Sequence, residues 1–327
     1  MKGAVVVIGL IASILLSLMV GYRVLVPSDY WQALSAFDPY DPAHVTLWSI
    51  RVPRVIAALI AGSALGIAGT VMQSLTRNPL ADPGLLGVNA GAAFALIIGT
   101  TVLGRVDQAS IAMMAFPGAA VASVAVFALG GGLRGDAGPV RLTLAGAALN
   151  ALLLSLVTAM VLIRQDSLEV LRFWVAGSLT PAAMRPLAEM AVVVGLGGAV
   201  AWLIAPQLEA LSLGTAMARG LGARPARVQG AALIVVTLTT GGAVAVAGPI
   251  AFLGLMVPPL ARLVSGHRLR GELFAAAGLG AMIVLFADTA GRLILAPGEV
   301  RVGVMIALLG GPAFIWIARQ LRPGAQT

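Results

Sequence analysis

Charge is too scarce in this chain to coat a soluble globule. Only 10% of its 327 residues are charged and 59% are hydrophobic, with a mean hydropathy of +0.99. A soluble domain carries about 25% charged residues, because its surface must face water. Most of this surface must instead face lipid or other apolar helices. The expected fold class is all-α and polytopic, a single transmembrane domain over 1–327.

A helix needs about 20 residues to cross roughly 30 Å of hydrocarbon. Charged or Pro/Gly-rich breaks divide the chain into ten such stretches, approximately 3–26, 55–74, 85–104, 108–129, 142–163, 187–205, 228–247, 249–264, 272–287 and 302–318. They leave short loops and no room for a second, soluble domain. The run after Lys2 resembles a leader, but it continues through Gly21-Tyr22-Arg23-Val24 without a small-x-small site before Pro27, which favours a first span. The 247–249 break holds only Gly248-Pro249 beyond Ala247, and the eighth span ends near Pro258-Pro259. Both features predict bent or broken helices. Glycines at 62, 66 and 69, and at 195, 197 and 198, let helices approach closely.

The net charge is +8, and Lys2 is the one lysine among 21 basic residues. The arginines are scattered between apolar runs with no basic stripe or interleaved aromatics, so nucleic-acid binding is not expected. An even span number puts both termini on one side. If that side is the cytoplasm, the inner basic residues are Lys2, Arg77, Arg134, Arg141, Arg219, Arg224, Arg227, Arg262, Arg268, Arg270, Arg319 and Arg322, 12 of 21. The inner acids are Asp82, Asp136, Glu209 and Glu272, 4 of 13. The whole surplus then falls on one face, as the positive-inside rule requires.

Several chemistries lack their parts. There is no cysteine, which excludes disulfides and thiolate metal sites. His44 and His267 are far apart and have no HExxH-type partner. A P-loop needs a lysine at the phosphates, and the only lysine is at position 2. No cofactor is therefore expected on this non-catalytic chain, and any ATP with its Mg must be bound by a separate partner subunit. Ion-coupled transporters keep acids at mid-membrane, whereas here Asp288, at the end of span nine, comes nearest. An ion-coupled secondary transporter and a non-transporting structural subunit remain the alternatives.

Arg51-Val52-Pro53-Arg54 precedes a Gly/Ala-rich helix that ends in Val71-Met72-Gln73-Ser74-Leu75 and continues as Thr76-Arg77-Asn78-Pro79-Leu80-Ala81-Asp82-Pro83-Gly84-Leu85-Leu86-Gly87-Val88. Phe173-Trp174, Gly177-Ser178-Leu179, the 245–258 stretch ending Met256-Val257-Pro258, Asp288 with Arg292, and Glu299 before Val302-Gly303-Val304 follow in order. Together they resemble the FecCD-like permeases of type II ABC importers for iron-siderophores, haem and cobalamin. The resemblance covers nearly the whole chain. It implies ten helices per subunit and a second copy enclosing the path. It also implies two ATP-binding cassette subunits, a periplasmic substrate-binding protein, and residence in the bacterial inner membrane. One departure is Pro259, where the family commonly has histidine.

The resemblance also implies roles. Arg51, Arg54 and Arg292 would receive acidic residues of the binding protein, as cationic groups that steer a partner and fix its register; snorkelling to headgroups is the alternative. The segment 207–224, read as two short helices joined at a turn, would couple to the ATPase through Ala218, Arg219, Gly220, Leu221 and Gly222, with Gly220 permitting the turn or a close backbone contact. Span five, with Asn150, Ser155 and Thr158, would line the path. Arg172 either meets an anionic ligand or anchors the interface beside Trp174.

Overall fold

A computed structural model describes residues 2–102, 104, 107–132, 138–266 and 268–320. Arg134, Asp136, His267 and Arg322, which entered the sequence reading, lie outside the described residues. Within them the chain is helical, without a β-strand. In order come α1 (Lys2–Met19), α2 (Pro27–Ser35), α3 (Pro42–Val45), a π-helical turn Thr46–Arg51, α4 (Val52–Thr76), a 3₁₀ turn Pro83–Leu86, α5 (Val88–Val102) and α6 (Gln108–Leu129). Then follow α7 (Pro139–Ile163), α8 (Gln165–Val175), α9 (Leu187–Ser212), α10 (Thr215–Gly220), α11 (Pro225–Ala247), α12 (Leu253–Ser265), α13 (Leu269–Ile294) and α14 (Val302–Gln320).

The ten predicted spans coincide with α1, α4, α5, α6, α7, α9, α11, α12, α13 and α14. Six of these, α4, α6, α7, α9, α11 and α13, are long and apolar enough to cross a membrane, and the other four are shorter apolar helices. Boundaries moved where local chemistry differs from hydropathy. The first helix stops at Met19 rather than 26, and arginine side chains take up carbonyls at its end. The sixth continues through Pro206 to Ser212 rather than stopping at 205. The expected break after Ala247 is real: Gly248 has φ +73, and helix resumes only at Leu253. Pro258 and Pro259 lie inside α12.

Lipid is as apolar as leucine, so helices associate through packing and small residues rather than through the hydrophobic effect. α4 shows how. It packs on α13, α11, α9 and α12, and it is buried over 78% of its apolar window. A Cβ on Gly62 would lie 2.5 Å from the Ala281 Cα, and one on Gly66 or Gly69 would run into the backbone of Ala276 or Gly254. The second glycine group divides: Gly197 packs on Thr239, whereas a Cβ on Gly195 would meet nothing. α7 is the opposite of α4, with only 11% of its window buried.

The 77–88 motif is a compact inward-folded connection. Arg77 ends α4 in the left-handed conformation (φ +52). Asp82 accepts a hydrogen bond from Gly84 N at 2.7 Å and so caps the 3₁₀ turn. Gly87 closes that turn at φ +75, where a side chain would be strained. The contacts of Gly146 with Leu85, and of Gly254 with Pro83, lock the motif between α7 and α12.

Candidate functional site: an ionic end, a cavity and a free helix

Helix directions sort the candidate residues onto two ends. Val6 meets Gly278, Gly9 meets Met282 and Ser17 meets Arg292, so α1 runs parallel to α13. Contacts of Gly62 with Gly280 and of Arg54 with Asp288 make α4 antiparallel to both. Arg51, Arg54 and Arg292 therefore gather at one end. α10 lies at the other, because α9 and α11, which flank it, reach the arginine end through Arg185 and Val246.

The three arginines point into the protein. Arg51, Arg54 and Arg292 are 3%, 6% and 8% exposed. Arg54 donates from Nη2 to Asp288 Oδ1 at 2.7 Å and from Nη1 to Glu299 Oε2 at 2.7 Å. Arg292 Nη2 lies 3.2 Å from the other Asp288 oxygen. Arg292 also donates to Ser17 O (3.2 Å), Val20 O (3.1 Å) and Ser17 Oγ (2.8 Å). Arg51 donates to the carbonyls of Leu18, Met19 and Arg23. A helix leaves its last carbonyls unpaired and its C-terminus electronegative. Arg51 and Arg292 thus staple the end of α1, while Arg54 joins α4 to α13 and to the α13–α14 loop.

A cleft of about 260 Å³ opens over this cluster, lined by Arg23, Arg51, Arg54, Arg292 and Glu299. Arg23 is its exposed cation. Sequence reasoning missed Arg23, Glu299 and Thr180 as members of this site. Thr180 Oγ1 donates to the free Glu299 oxygen. Burial pushes the Glu299 carboxyl up, but the Thr180 hydrogen bond and the Arg54 charge outweigh it and hold the group below its ordinary value of 4.5.

Arg185 was also missed. It is 9% exposed and donates to Ser178 O at 3.2 Å and to Val246 O at the end of α11. Burial lowers its guanidinium to about 10, which leaves it charged at neutral pH. Only its place between Pro181 and Pro186, in a loop that has no acid, marks it in the sequence.

Between the ends lies a cavity of about 690 Å³, walled by Asp82, Asn89, Asn150, Trp174, Val175, Pro249 and Gly303 among others. Asn150 is in it. Ser155 and Thr158 are exposed on α7 and donate to Ala151 O (2.7 Å) and Leu154 O (2.8 Å) of their own helix. Arg172 is exposed on α8, beside Phe173, whose ring carries the Arg301 guanidinium 4.5 Å from its centroid.

At the far end, the first third of 207–224, through Ser212, is the continuation of α9, and only α10 is a separate helix. Gly220 does not make the turn. That role falls to Gly214 (φ +121) and Gly222 (φ +81), and a Cβ on Gly220 would meet nothing. Met217 on α10 and Leu221 at its C-terminal end, four apart and so on one face, are 57% and 65% exposed, while Ala218 is buried underneath. Leu213, 68% exposed, ends α9 on the other side of the Gly214 turn. Nearby, Arg262 Nε lies 2.9 Å from Glu272 Oε1, and Arg262 Nη2 donates to Gln73 at 3.0 Å.

A multi-pass helical bundle with an ionic cleft at one end, a free apolar helix face at the other and a cavity between them defines a membrane transport protein. The chain is similar to the ferric enterobactin transport system permease protein FepD of Escherichia coli (strain K12), 44% identical over 315 residues, which is 96% of this chain and 94% of that one. It is 38% identical to the hemin transport system permease protein HmuU of Yersinia pestis over 286 residues, 85% of this chain and 84% of that one. A solved metal-chelate type ABC transporter in an inward-facing conformation matches its fold with a TM-score of 0.80 at 24% identity, over 98% of this chain and 99% of the other. The chain belongs to the FecCD transport family, whose model matches residues 9–320.

Proposed function

We propose that the chain is the permease subunit of an ATP-driven, binding-protein-dependent importer for iron chelates, with a siderophore or haem ahead of cobalamin as cargo. The observation that carries this reading is the placement of the ionic cleft and α10 at opposite ends of one bundle. The arginine end faces the periplasm and α10 the cytoplasm, with both chain termini cytoplasmic, in keeping with the charge distribution. An acidic residue of the binding protein enters the cleft, meeting exposed Arg23 and the outer edge of the Arg54–Glu299 pair. Arg51 and Arg292 sit behind it and add positive potential while they staple α1.

The apolar face of α10, with Arg219 beside it, docks in a separate ATPase subunit, which binds ATP and Mg. The nearly unburied α7 packs against a second copy of this chain, so that Asn150 and the 690 Å³ cavity become one wall of a shared path. Arg172, two residues before Trp174 of that wall, meets an anionic cargo or anchors the interface.

Co-purification tests this reading. Tagged chain in mild detergent is expected to bring down an ATPase, and Leu221→Asp is expected to release it. In the same complex, Arg23→Glu is expected to weaken binding-protein association at low salt. A chain that purifies without an ATPase, or association that ignores Arg23→Glu, contradicts it.

A further inference from the structure

Glu299 links the ionic end to the segment that follows α8. One of its oxygens accepts from Arg54 Nη1 at 2.7 Å and the other from Thr180 Oγ1. Thr180 belongs to the segment after α8, and that segment is braced against two other helices. Ser178 N donates to Ala247 O at 2.8 Å, Ser178 Oγ donates to Thr180 Oγ1 at 3.0 Å, and Gly303 N donates to Gly177 O at 3.2 Å. The brace has no slack. Gly177 sits at φ +59, where a Cβ would be 2.5 Å from Pro249 O, and a Cβ on Gly248 would be 2.8 Å from Trp174 O. Trp174, Pro249 and Gly303 are also cavity wall. A continuous line of contacts therefore runs from the Arg54 guanidinium to the wall beside Asn150, and it passes through one carboxylate.

The two acids on Arg54 are not equivalent. Asp288 has 3% of its side chain exposed and occupies Nε and Nη2 at 3.3 and 2.7 Å. Glu299 has 29% exposed and lies at the cleft. A guanidinium presents its donors in a rigid planar fork. A carboxylate entering the cleft can replace Glu299 like for like, whereas Asp288 is shielded.

We propose that Glu299 is a positioning residue that holds the 177–180 segment, and with it the cavity wall, closed until a carboxylate presented in the cleft takes its place on Arg54. Once displaced, Glu299 no longer orients Thr180. The braced segment is the two-state element through which cleft and cavity are coupled. The proposal rests on the docking reading above, with the binding protein as the source of the carboxylate.

The chain has no cysteine, so a single Ala176→Cys, half-buried in the wall, reports on the segment through its rate of labelling by a water-soluble maleimide. The measurement uses the assembled transporter in lipid nanodiscs. Glu299→Gln and Thr180→Val are each expected to raise the rate at least about five-fold without binding protein, the lower end of typical site-to-site coupling. Their combination is expected to exceed neither, and Thr180→Ser, which keeps the hydroxyl, is expected to restore the original rate. Original rates in both single variants, or effects that multiply, would overturn the proposal. Should Glu299→Gln not assemble, the contrast between Thr180→Val and Thr180→Ser decides alone. A periplasmic binding protein that docks on this transporter is expected to raise the rate of the Ala176→Cys protein toward that of Glu299→Gln. If the variants label faster but binding protein changes nothing, the docking reading fails and Glu299 stands as a loop-positioning residue only.

Discussion

Arg54 and Asp288, 234 positions apart, meet in a two-pronged ion pair between α4 and α13, with Nη2–Oδ1 at 2.7 Å and Nε–Oδ2 at 3.3 Å. Both are buried. Breaking such a pair strands a charge where water cannot reach it, at a cost of about 3–5 kcal/mol, while removing both partners costs far less. Asp288→Asn is therefore expected to lower the thermal midpoint in detergent markedly, and Arg54→Met with Asp288→Leu to recover only part of the loss, because Arg292 and Glu299 each lose an ionic partner as well. A single variant as stable as the parent would show that the pair does not join these helices.

Glycine packing around α4 gives a sharper contrast. Gly69→Val forces a side chain into the Gly254 backbone, and the folded yield is expected to collapse. Gly195→Ala adds a Cβ to open space and is expected to stay within about 0.5 kcal/mol of the parent, as for an ordinary surface change. Size-exclusion profiles of the two proteins check this.

Acid sensitivity follows from Glu299. Its carboxyl lies below 4.5 when folded, so its pairing contributes stability fully above that ordinary value and loses it as pH falls through the lowered folded value. Thermal midpoints measured from pH 7 down to acid are expected to drop for the parent in that window. For Glu299→Gln the midpoint is expected to start lower and to show less of this drop.

Two glycines near α10 separate chain from partner. Gly222 needs φ +81, so Gly222→Val is expected to destabilise the chain itself. Gly220 faces open space. Gly220→Leu is expected to leave the isolated chain as stable as the parent but to disturb ATP hydrolysis in the assembled complex. A destabilised Gly220→Leu chain would place that residue in the fold rather than at the contact.

Much of this was legible in the sequence. Hydropathy located the ten apolar helices, six of them long enough to cross a membrane, because a span must be continuously apolar whatever it packs against. It did not mark the short helices α2, α3 and α8. The 77–88 motif was legible because Asn, Pro, Asp and Gly each answer a local turn. The burial of Arg51, Arg54 and Arg292 was not, since their partners lie in α1, α13 and the α13–α14 loop, and no local pattern announces them. Gly222 rather than Gly220 carries the turn for a reason of φ alone, which composition does not encode. Thr180 and Arg185 act on carbonyls and a carboxylate brought together only by the fold.

Transport in sealed vesicles tests the central claim most directly. Proteoliposomes holding this chain alone are expected to take up no ferric chelate or haem under a proton or sodium gradient. Those holding the chain with its ATPase, ATP and binding protein are expected to accumulate it. Gradient-driven uptake by the chain alone would contradict the account.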